Sequence, residues 1–396
     1  MSAVYLNELG VICALGADRA QIAQALFQPQ LAGSALSDTV IPGRSLVVGA
    51  VQSALPSLQD LPVALHGRNN ALLLAALQQI EPAARAAIAR YGSERVAVVM
   101  GTSTSGIGES EEALTTYNAS GEWPPQFDYA QQEMGTAARF VRSYLGIDGP
   151  AWVLSTACSS SAKALMSAAR LLRSGVVDAV IAGGADSLCR FTVAGFSALE
   201  SVSAPRCNPF SRNRCGINIG EGAGVFLMTR EPGPVQLSGW GETSDAHHMS
   251  APDPSGQGAA LAMRQALQRA GWEADSVDYI NLHGTATQHN DAMESVAVAG
   301  TFGLDVPCSS TKPLTGHTLG ASGVIEAALC WITLAENPAQ QLPPHWWDGE
   351  ADDALPALAL VVPGMRAATP PQRVLSSSFA FGGSNAVLAM EKAAHG

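Results

Sequence analysis

Ala151-Trp152-Val153-Leu154-Ser155-Thr156-Ala157-Cys158-Ser159-Ser160-Ser161 opens as a strand and closes as a helix. Its first four residues form a short apolar run, and residues 162–172 supply helix formers with apolar side chains at helical spacing. Cys158 falls at the junction. A thiol there faces the free N–H groups and the positive dipole end of a helix, and both favour thiolate over thiol. The same N–H groups are suited to hold an oxyanion on a carbonyl that the sulfur attacks. A lone cysteine in such a run is equally compatible with a buried structural thiol. What decides is the company it keeps along the chain.

Working outward, strand-like runs alternate with helical stretches, the pattern of an α/β protein. Residues 95–100 read as a strand ending in the polar turn Gly101-Thr102-Ser103-Thr104-Ser105-Gly106, and residues 176–184 as a buried strand stopped by glycines. Residues 222–228 form a third, leading into Glu231-Pro232-Gly233-Pro234. That Pro/Gly cluster marks a boundary between an N-terminal half, 1–234, and a C-terminal half, 235–396. The second half repeats the theme. Residues 277–282 are a strand that delivers His283, and Ser309-Ser310-Thr311-Lys312 passes through a Gly-containing turn into a helix near Ala321. The arrangement predicts a duplicated α/β unit whose reactive residues gather at strand ends.

Composition narrows the function. Of 396 residues, 47% are apolar and only 14% charged, which suits a large buried core; this length alone also allows two or three domains. A net charge of −12 argues against general nucleic-acid binding, while leaving room for a local basic patch. The seven cysteines form no CxxC pair and are odd in number, so neither a disulfide framework nor a zinc site is expected. Met1-Ser2-Ala3-Val4-Tyr5-Leu6-Asn7-Glu8 lacks the basic and apolar regions of a signal peptide, and no apolar run approaches membrane-spanning length. These features fit a cytoplasmic protein.

Four further motifs keep Cys158 company. His283-Gly284-Thr285-Ala286-Thr287 follows a strand, where a histidine is a catalyst or simply a hydrogen-bonded structural residue. Asp291 and Glu294 then share one face of the next helix, or are merely the acids that enrich a helix start. Lys312-Pro313-Leu314-Thr315-Gly316-His317-Thr318-Leu319-Gly320-Ala321-Ser322-Gly323 sets a lysine and a histidine in a Gly-rich turn. Ser378-Phe379-Ala380-Phe381-Gly382-Gly383-Ser384-Asn385 joins two aromatics to a glycine pair, as a hairpin turn or as a binding-site gate.

In this order the motifs closely resemble the β-ketoacyl-acyl carrier protein synthases, the elongating condensing enzymes of fatty acid and polyketide synthesis in the thiolase superfamily. Ser244-Asp245-Ala246-His247-His248-Met249-Ser250 and Gly220-Glu221-Gly222-Ala223-Gly224 extend the likeness. The resemblance implies a thiolase-like, five-layered α-β-α-β-α fold built from two duplicated halves. It implies a Cys158–His283–His317 active site and a supporting ion pair of Lys312 with Glu294. Thr285 and Thr287 would hydrogen-bond a pantetheine arm, with Ser250 and Phe379 beside it. Phe381 would gate the site, its N–H joining that of Cys158 in an oxyanion hole. No cofactor or metal is implied, because the acyl carrier protein partner carries the phosphopantetheine. Arg212 and Arg214, then Arg68 and Arg206, are the expected docking residues for that acidic partner. The alternative role of Arg212 and Arg214 is to brace the loop leading to Glu221. A homodimer and a heterodimer with a chain-length factor are both allowed.

Three departures qualify the likeness. Ala380 stands where the family usually has Gly, which restricts the gate. Asn208-Pro209-Phe210 lacks the arginine that usually precedes the Pro-aromatic pair, and Cys215 stands where Asp is common. Residues 207–221 look most like the ketosynthases of bacterial aryl polyene clusters, with a housekeeping fatty-acid synthase as the alternative. A thiolase would need a second cysteine near residues 379–385, and a non-catalytic chain-length factor would have lost Cys158. A cysteine hydrolase has no use for Lys312 beside His317.

Overall fold

Runs such as Val96-Ala97-Val98-Val99-Met100 carry no polar side chain, so they are stable only as strands covered on both faces. The computed structural model describes residues 2–28 and 30–393, and Met1 of the N-terminal stretch lies outside them. The first half comprises β1 (Tyr5–Cys13), α1 (Arg19–Phe27), a hairpin of β2 (Ala35–Ile41) and β3 (Arg44–Val48), α2 (Arg68–Tyr91) and β4 (Val96–Gly101). It continues with α3 (Ile107–Ser120), α4 (Thr136–Leu145), β5 (Ala151–Leu154), α5 (Ser160–Arg173), β6 (Ala179–Asp186), α6 (Arg190–Ala198) and β7 (Gly222–Thr229). The second half runs β8 (Val235–Ser244), α7 (Gln257–Ala270), β9 (Tyr279–Asn281), α8 (Gln288–Phe302) and β10 (Cys308–Ser309). It ends with α9 (Lys312–Thr315), α10 (Ser322–Ala335), β11 (Arg373–Ala380) and β12 (Ser384–Lys392).

The strand order is β5-β4-β6-β7-β1 in one half and β10-β9-β11-β12-β8 in the other. The halves join where β1 and β8 pair antiparallel through Tyr5 with Gln236 and Leu6 with Val235. In each half the first main-sheet strand pairs antiparallel with the fifth, and the fifth antiparallel with the fourth. The fourth, second and third then run parallel. One topology therefore occurs twice.

Helices α2 and α4 cover the outer face of the first five strands, and α7 and α8 the outer face of the second five. Between the two halves of this ten-stranded sheet lie α5 and α10, giving α-β-α-β-α. Sequence explains the middle layer: every residue of α10 from Ser322 to Leu334 is buried, which its all-round apolar surface requires. The two inner helices cross closely at Gly323, where a Cβ would lie 2.6 Å from the Ala162 nitrogen. Among the described residues, no helix is long and apolar enough to cross a membrane.

Local boundaries differ from the sequence reading by a residue or two. α5 starts at Ser160, and β9 is only three residues because Val277 closes a short 3₁₀ turn. Ser378 and Phe379 continue β11, so the expected gate is the tip of the β11–β12 hairpin.

Candidate active site

Residues 155–159 connect β5 to α5 in a tight elbow. Ala157 sits at φ +50°, a left-handed conformation costly for a residue with a Cβ. Local bonds hold it there: Thr156 N–H donates to Ser160 Oγ at 2.9 Å, which itself donates to the Ala157 carbonyl at 2.6 Å. The elbow buries Cys158 to 5% exposure and sets its Sγ 3.0 Å from His317 Nε2. The expected thiolate does not follow. Burial pushes the thiol from its ordinary value of 9.0 up to about 12, against the opposing pull of the Lys312 ammonium and of the Phe381 N–H that bonds the sulfur. The resting nucleophile is a thiol beside a proton acceptor.

β9 ends at Asn281 and hands His283 to the site, while the turn after α9 hands over His317. The two rings meet edge to face, 5.3 Å apart, and the Phe379 ring packs edge-on against His283. The ligand atoms of Cys158, His283 and His317 lie within 4.8 Å of one another. That trio has the donor chemistry of a metal site, but the buried Lys312 ammonium 3.3 Å from His283 Nδ1 opposes a second cation. Burial first, then Lys312, hold both histidines well below their ordinary value of 6.5, so both are neutral. An ammonium can only donate, so His283 Nδ1 is the acceptor and the ring proton is on Nε2. Among the described residues His317 Nδ1 has no hydrogen-bond partner, so no protein group there fixes its tautomer.

The expected Lys312–Glu294 pair is a correction. Lys312 Nζ bonds the carboxylate of Glu326 and, at 2.5 Å, the His283 carbonyl. Glu294 faces the other side of the turn, where it accepts the N–H groups of His283 and Gly284 at 2.7 Å each. The reason is geometric: α10 projects Glu326 under the lysine, whereas α8 aims Glu294 at the backbone of the His283 turn. Burial raises Glu326 to about 7 and Glu294 to about 8, against the pull of their partners. Glu326 had a sequence signal, being the only charged residue in α10. So did Asp186 at the end of β6. Its buried carboxylate accepts bonds from Thr102 and Thr104 hydroxyls and from the Ser103, Thr104 and Gly320 N–H groups. It ties the loop after β4 to the loop before α10.

Two cavities meet at Cys158. The narrower one brings together Ser250, Thr285, Thr287, Phe379, both histidines and Phe381. Thr285 and Thr287 hydroxyls stand 2.9 Å apart, and Thr287 also caps α8. The wider cavity, about 440 Å³, is almost wholly apolar and runs along α6 past Phe196 and Leu319. Phe381 lines both, its ring 5.6 Å from that of Phe196. Gly382 and Gly383, both at positive φ, form the turn at the tip of this hairpin. Ala380 ends β11 paired with Ser384, an extended site where a Cβ fits.

The arginines divide. Arg214 is a correction: it is 5% exposed, bonds Asp352 at 2.6 Å and the Ser211 carbonyl at 2.9 Å, and presents no docking surface. Arg68 grips Glu221 with two bonds, and Arg206 spans the Ser34 and Pro313 carbonyls, so both brace the fold as well. Arg212 is half exposed, donating to the Ala351 carbonyl with Glu350 and Asp353 each 3.9 Å away.

Residues 67–232 match the family described as beta-ketoacyl synthase, N-terminal domain, and residues 235–345 match beta-ketoacyl synthase, C-terminal domain. Nodulation protein E of Rhizobium meliloti (strain 1021) is 29% identical, covering 98% of this chain and 99% of the relative. The 3-oxoacyl-[acyl-carrier-protein] synthase 2 of Synechocystis is 31% identical over 80% of each chain. Among solved structures, a chain in the complex of the ketosynthase ApeO with its chain length factor ApeC, from Xenorhabdus doucetiae, superposes with a TM-score of 0.94. It is 45% identical, covering 99% of this chain and 98% of that one.

Proposed function

This chain belongs to the beta-ketoacyl synthase family, and from that premise we propose that Cys158, His283 and His317 carry out a decarboxylative Claisen condensation. The protein is a ketosynthase, a condensing acyltransferase of fatty acid or polyketide synthesis. The observation that carries the residue assignment is the 3.0 Å approach of Cys158 Sγ to His317 Nε2 with His283 alongside.

In the first half-reaction Cys158 attacks the thioester of an acyl-carrier protein, and its proton passes to His317 Nε2 as the S–C bond forms. The N–H groups of Phe381 and Cys158 hold the tetrahedral oxyanion. The carrier's thiolate leaves and takes the proton back from His317. While the carriers exchange, the unlocked His317 ring moves its own proton to Nε2. In the second half-reaction the malonyl C–C bond breaks, CO₂ departs, and the electron pair becomes an enolate held by Nε2–H of His283 and of His317. The enolate carbon attacks acyl-Cys158, and collapse of the second tetrahedral intermediate expels the Cys158 sulfur, which regains a proton from solvent. Lys312 keeps both rings neutral and fixes the His283 tautomer. The pantetheine arm lies against Thr285, Thr287, Ser250 and Phe379, and the acyl group in the apolar cavity. The chemistry calls for no cofactor on this chain, since the phosphopantetheine belongs to the carrier.

We assign the pathway to aryl polyene or a related polyketide. Residues 207–221 support this, as does 45% identity to the ApeO–ApeC complex chain against 31% to the fatty-acid relative. A chain-length factor is the partner this favours over a second copy. Carrier docking falls to Arg212, the most open of the four arginines. The test is turnover with malonyl-carrier protein, read as product mass, with unsaturated aryl-acyl and saturated acyl carriers in competition. Absence of a β-ketoacyl product would reject the site assignment, and preference for the saturated chain would reject only the pathway.

A further inference from the structure

The two donors of the oxyanion hole come from different halves of the chain: Cys158 from the elbow before α5 and Phe381 from the tip of the β11–β12 hairpin. Their spacing depends on what joins those segments. Two side chains one turn apart at the start of α5 do so. Ser159 is the N-cap of α5, where a serine hydroxyl ordinarily accepts a free helix N–H, yet no side-chain bond caps the helix there. Its hydroxyl donates instead to the Thr156 carbonyl at 2.8 Å and stands 3.0 Å from Ser384 Oγ. Lys163 sits in the first turn of the same helix, the end at which the dipole disfavours a cation. Burial also holds its pKa below the ordinary value, with Glu242 pulling against this and Arg170 adding to it. Its ammonium donates to the same Ser384 oxygen at 2.6 Å. An ammonium can only donate, and the Ser159 proton is spent on Thr156, so Ser384 gives its own proton to Ser159. One directed chain thus runs from Lys163 through Ser384 and Ser159 to the carbonyl of Thr156, across the two halves. Both α5 residues break a local rule, and both converge on Ser384, the first residue of β12 after the glycine pair.

We infer that Lys163 and Ser159 are positioning residues that act through Ser384, holding the Phe381 N–H at the distance from the Cys158 N–H that an oxyanion needs. This rests on the condensation proposed above. The hole serves the tetrahedral intermediates of acylation and of C–C bond formation. It takes no part in the loss of CO₂ from the malonyl group, where the two imidazoles hold the enolate. Nor does it serve alkylation of the sulfur by iodoacetamide, in which an S–C bond forms as iodide leaves and no oxyanion arises. Breaking the chain at Ser384 therefore slows acylation by a thioester and spares the other two reactions at the same site.

The experiment compares wild type, Ser384→Ala, Lys163→Met and the double variant. Single-turnover intact mass gives the rate of Cys158 acylation from acyl-carrier protein. Parallel assays give alkylation by iodoacetamide and CO₂ release from malonyl-carrier protein. Ser384→Ala should slow acylation by about tenfold or more, short of the roughly 100- to 1000-fold that losing an oxyanion donor outright costs. Lys163→Met should slow it less, and should add nothing in the Ser384→Ala background, because it acts through Ser384. Alkylation and CO₂ release should hold at the wild-type rate in all three. Unchanged acylation in both single variants overturns the inference. So does a loss of alkylation or CO₂ release in proportion to that of acylation, or a further loss of acylation in the double variant. Wild type that takes no acyl group from acyl-carrier protein overturns the proposed reaction itself, which is a different failure. Should Ser384→Ala not fold, the ratio of acylation to alkylation in Lys163→Met alone decides.

Discussion

Glu326→Gln and Glu294→Gln change one atom each within the same buried cluster, yet the structure assigns them different consequences. Glu326 is the carboxylate that Lys312 bonds, and both side chains are essentially inaccessible to water. With Gln at 326 the ammonium keeps only the His283 carbonyl and Nδ1. Leaving a buried charge without its counter-ion costs about 3–5 kcal/mol. Without its counter-ion the ammonium gives up its proton more readily than in the wild type. A neutral amine can accept a hydrogen bond from an Nδ1–H of His283, which frees the ring to take the other tautomer and withdraws Nε2–H from the malonyl oxygen. Losing one such donor reduces the rate by roughly 100- to 1000-fold. Condensation by Glu326→Gln should therefore fall toward that limit at alkaline pH and recover as the pH is lowered, while acylation of Cys158 persists. Glu294→Gln keeps the Lys312–Glu326 pair, so it should loosen the His283 turn without introducing this pH dependence. Single-turnover intact mass separates the steps: acyl-enzyme first, then β-ketoacyl product after malonyl-carrier protein is added, from pH 6 to 8.5. Wild-type condensation by Glu326→Gln across that range would refute the reasoning, as would equal loss of acylation and condensation.

Cys158→Ala should form no acyl-enzyme but still release some CO₂ from malonyl-carrier protein, since the imidazoles act on the malonyl oxygen without the thiol; CO₂ release at the buffer rate would count against them. His283→Ala should retain acylation and lose condensation, whereas His317→Ala should slow both, and intact-mass kinetics distinguish these patterns. Arg212→Glu should weaken carrier binding and lessen its salt dependence while the fold and Cys158 alkylation stay intact, whereas Arg214→Glu, which sets a carboxylate in a buried position facing Asp352 and the Ser211 carbonyl, should lower the melting temperature; unchanged carrier affinity in Arg212→Glu would remove it from the interface.

The α/β class was legible because both inner and outer elements advertise their period: buried strands as unbroken apolar runs, the inner helix as apolar on every side. The reactive residues were legible for a related reason, since each follows a strand or precedes a helix, and Cys158, His283, His317, Thr285, Thr287, Ser250, Phe379 and Phe381 do line one place. Partnerships were harder to read. Glu294 and Glu326 lie 18 and 14 residues from Lys312, and sequence distance says nothing of which carboxylate faces which side of a turn. The docking arginines show the same limit. A guanidinium looks alike on paper whether it meets solvent or, as in Arg214, is itself buried against Asp352 and the Ser211 carbonyl. The departure at Ala380 lost its weight once that position proved to be the end of a strand.

The state of Cys158 is where a general rule and this particular site part company. A helix terminus stabilises a nearby charge by at most about 2 kcal/mol in favourable, partly buried geometry. Raising a thiol from its ordinary 9.0 to about 12 corresponds to about 4 kcal/mol against the thiolate, already net of the Lys312 field and the Phe381 N–H. The dipole of α5 cannot close that gap alone. A proton acceptor must therefore move with the sulfur, and His317 Nε2 is the one within reach. The same buried lysine that eases the thiol's ionisation disfavours a charge on either imidazole, so the acceptor's proton is held only transiently and returns to the departing thiol. The two histidines are thus unequal by construction. His283, locked by Lys312, can serve only as a donor, while His317, with an unpartnered Nδ1, can exchange between accepting and donating. A site that must first take a proton from a sulfur and then offer two N–H donors to the malonyl oxygen is served by one ring of each kind.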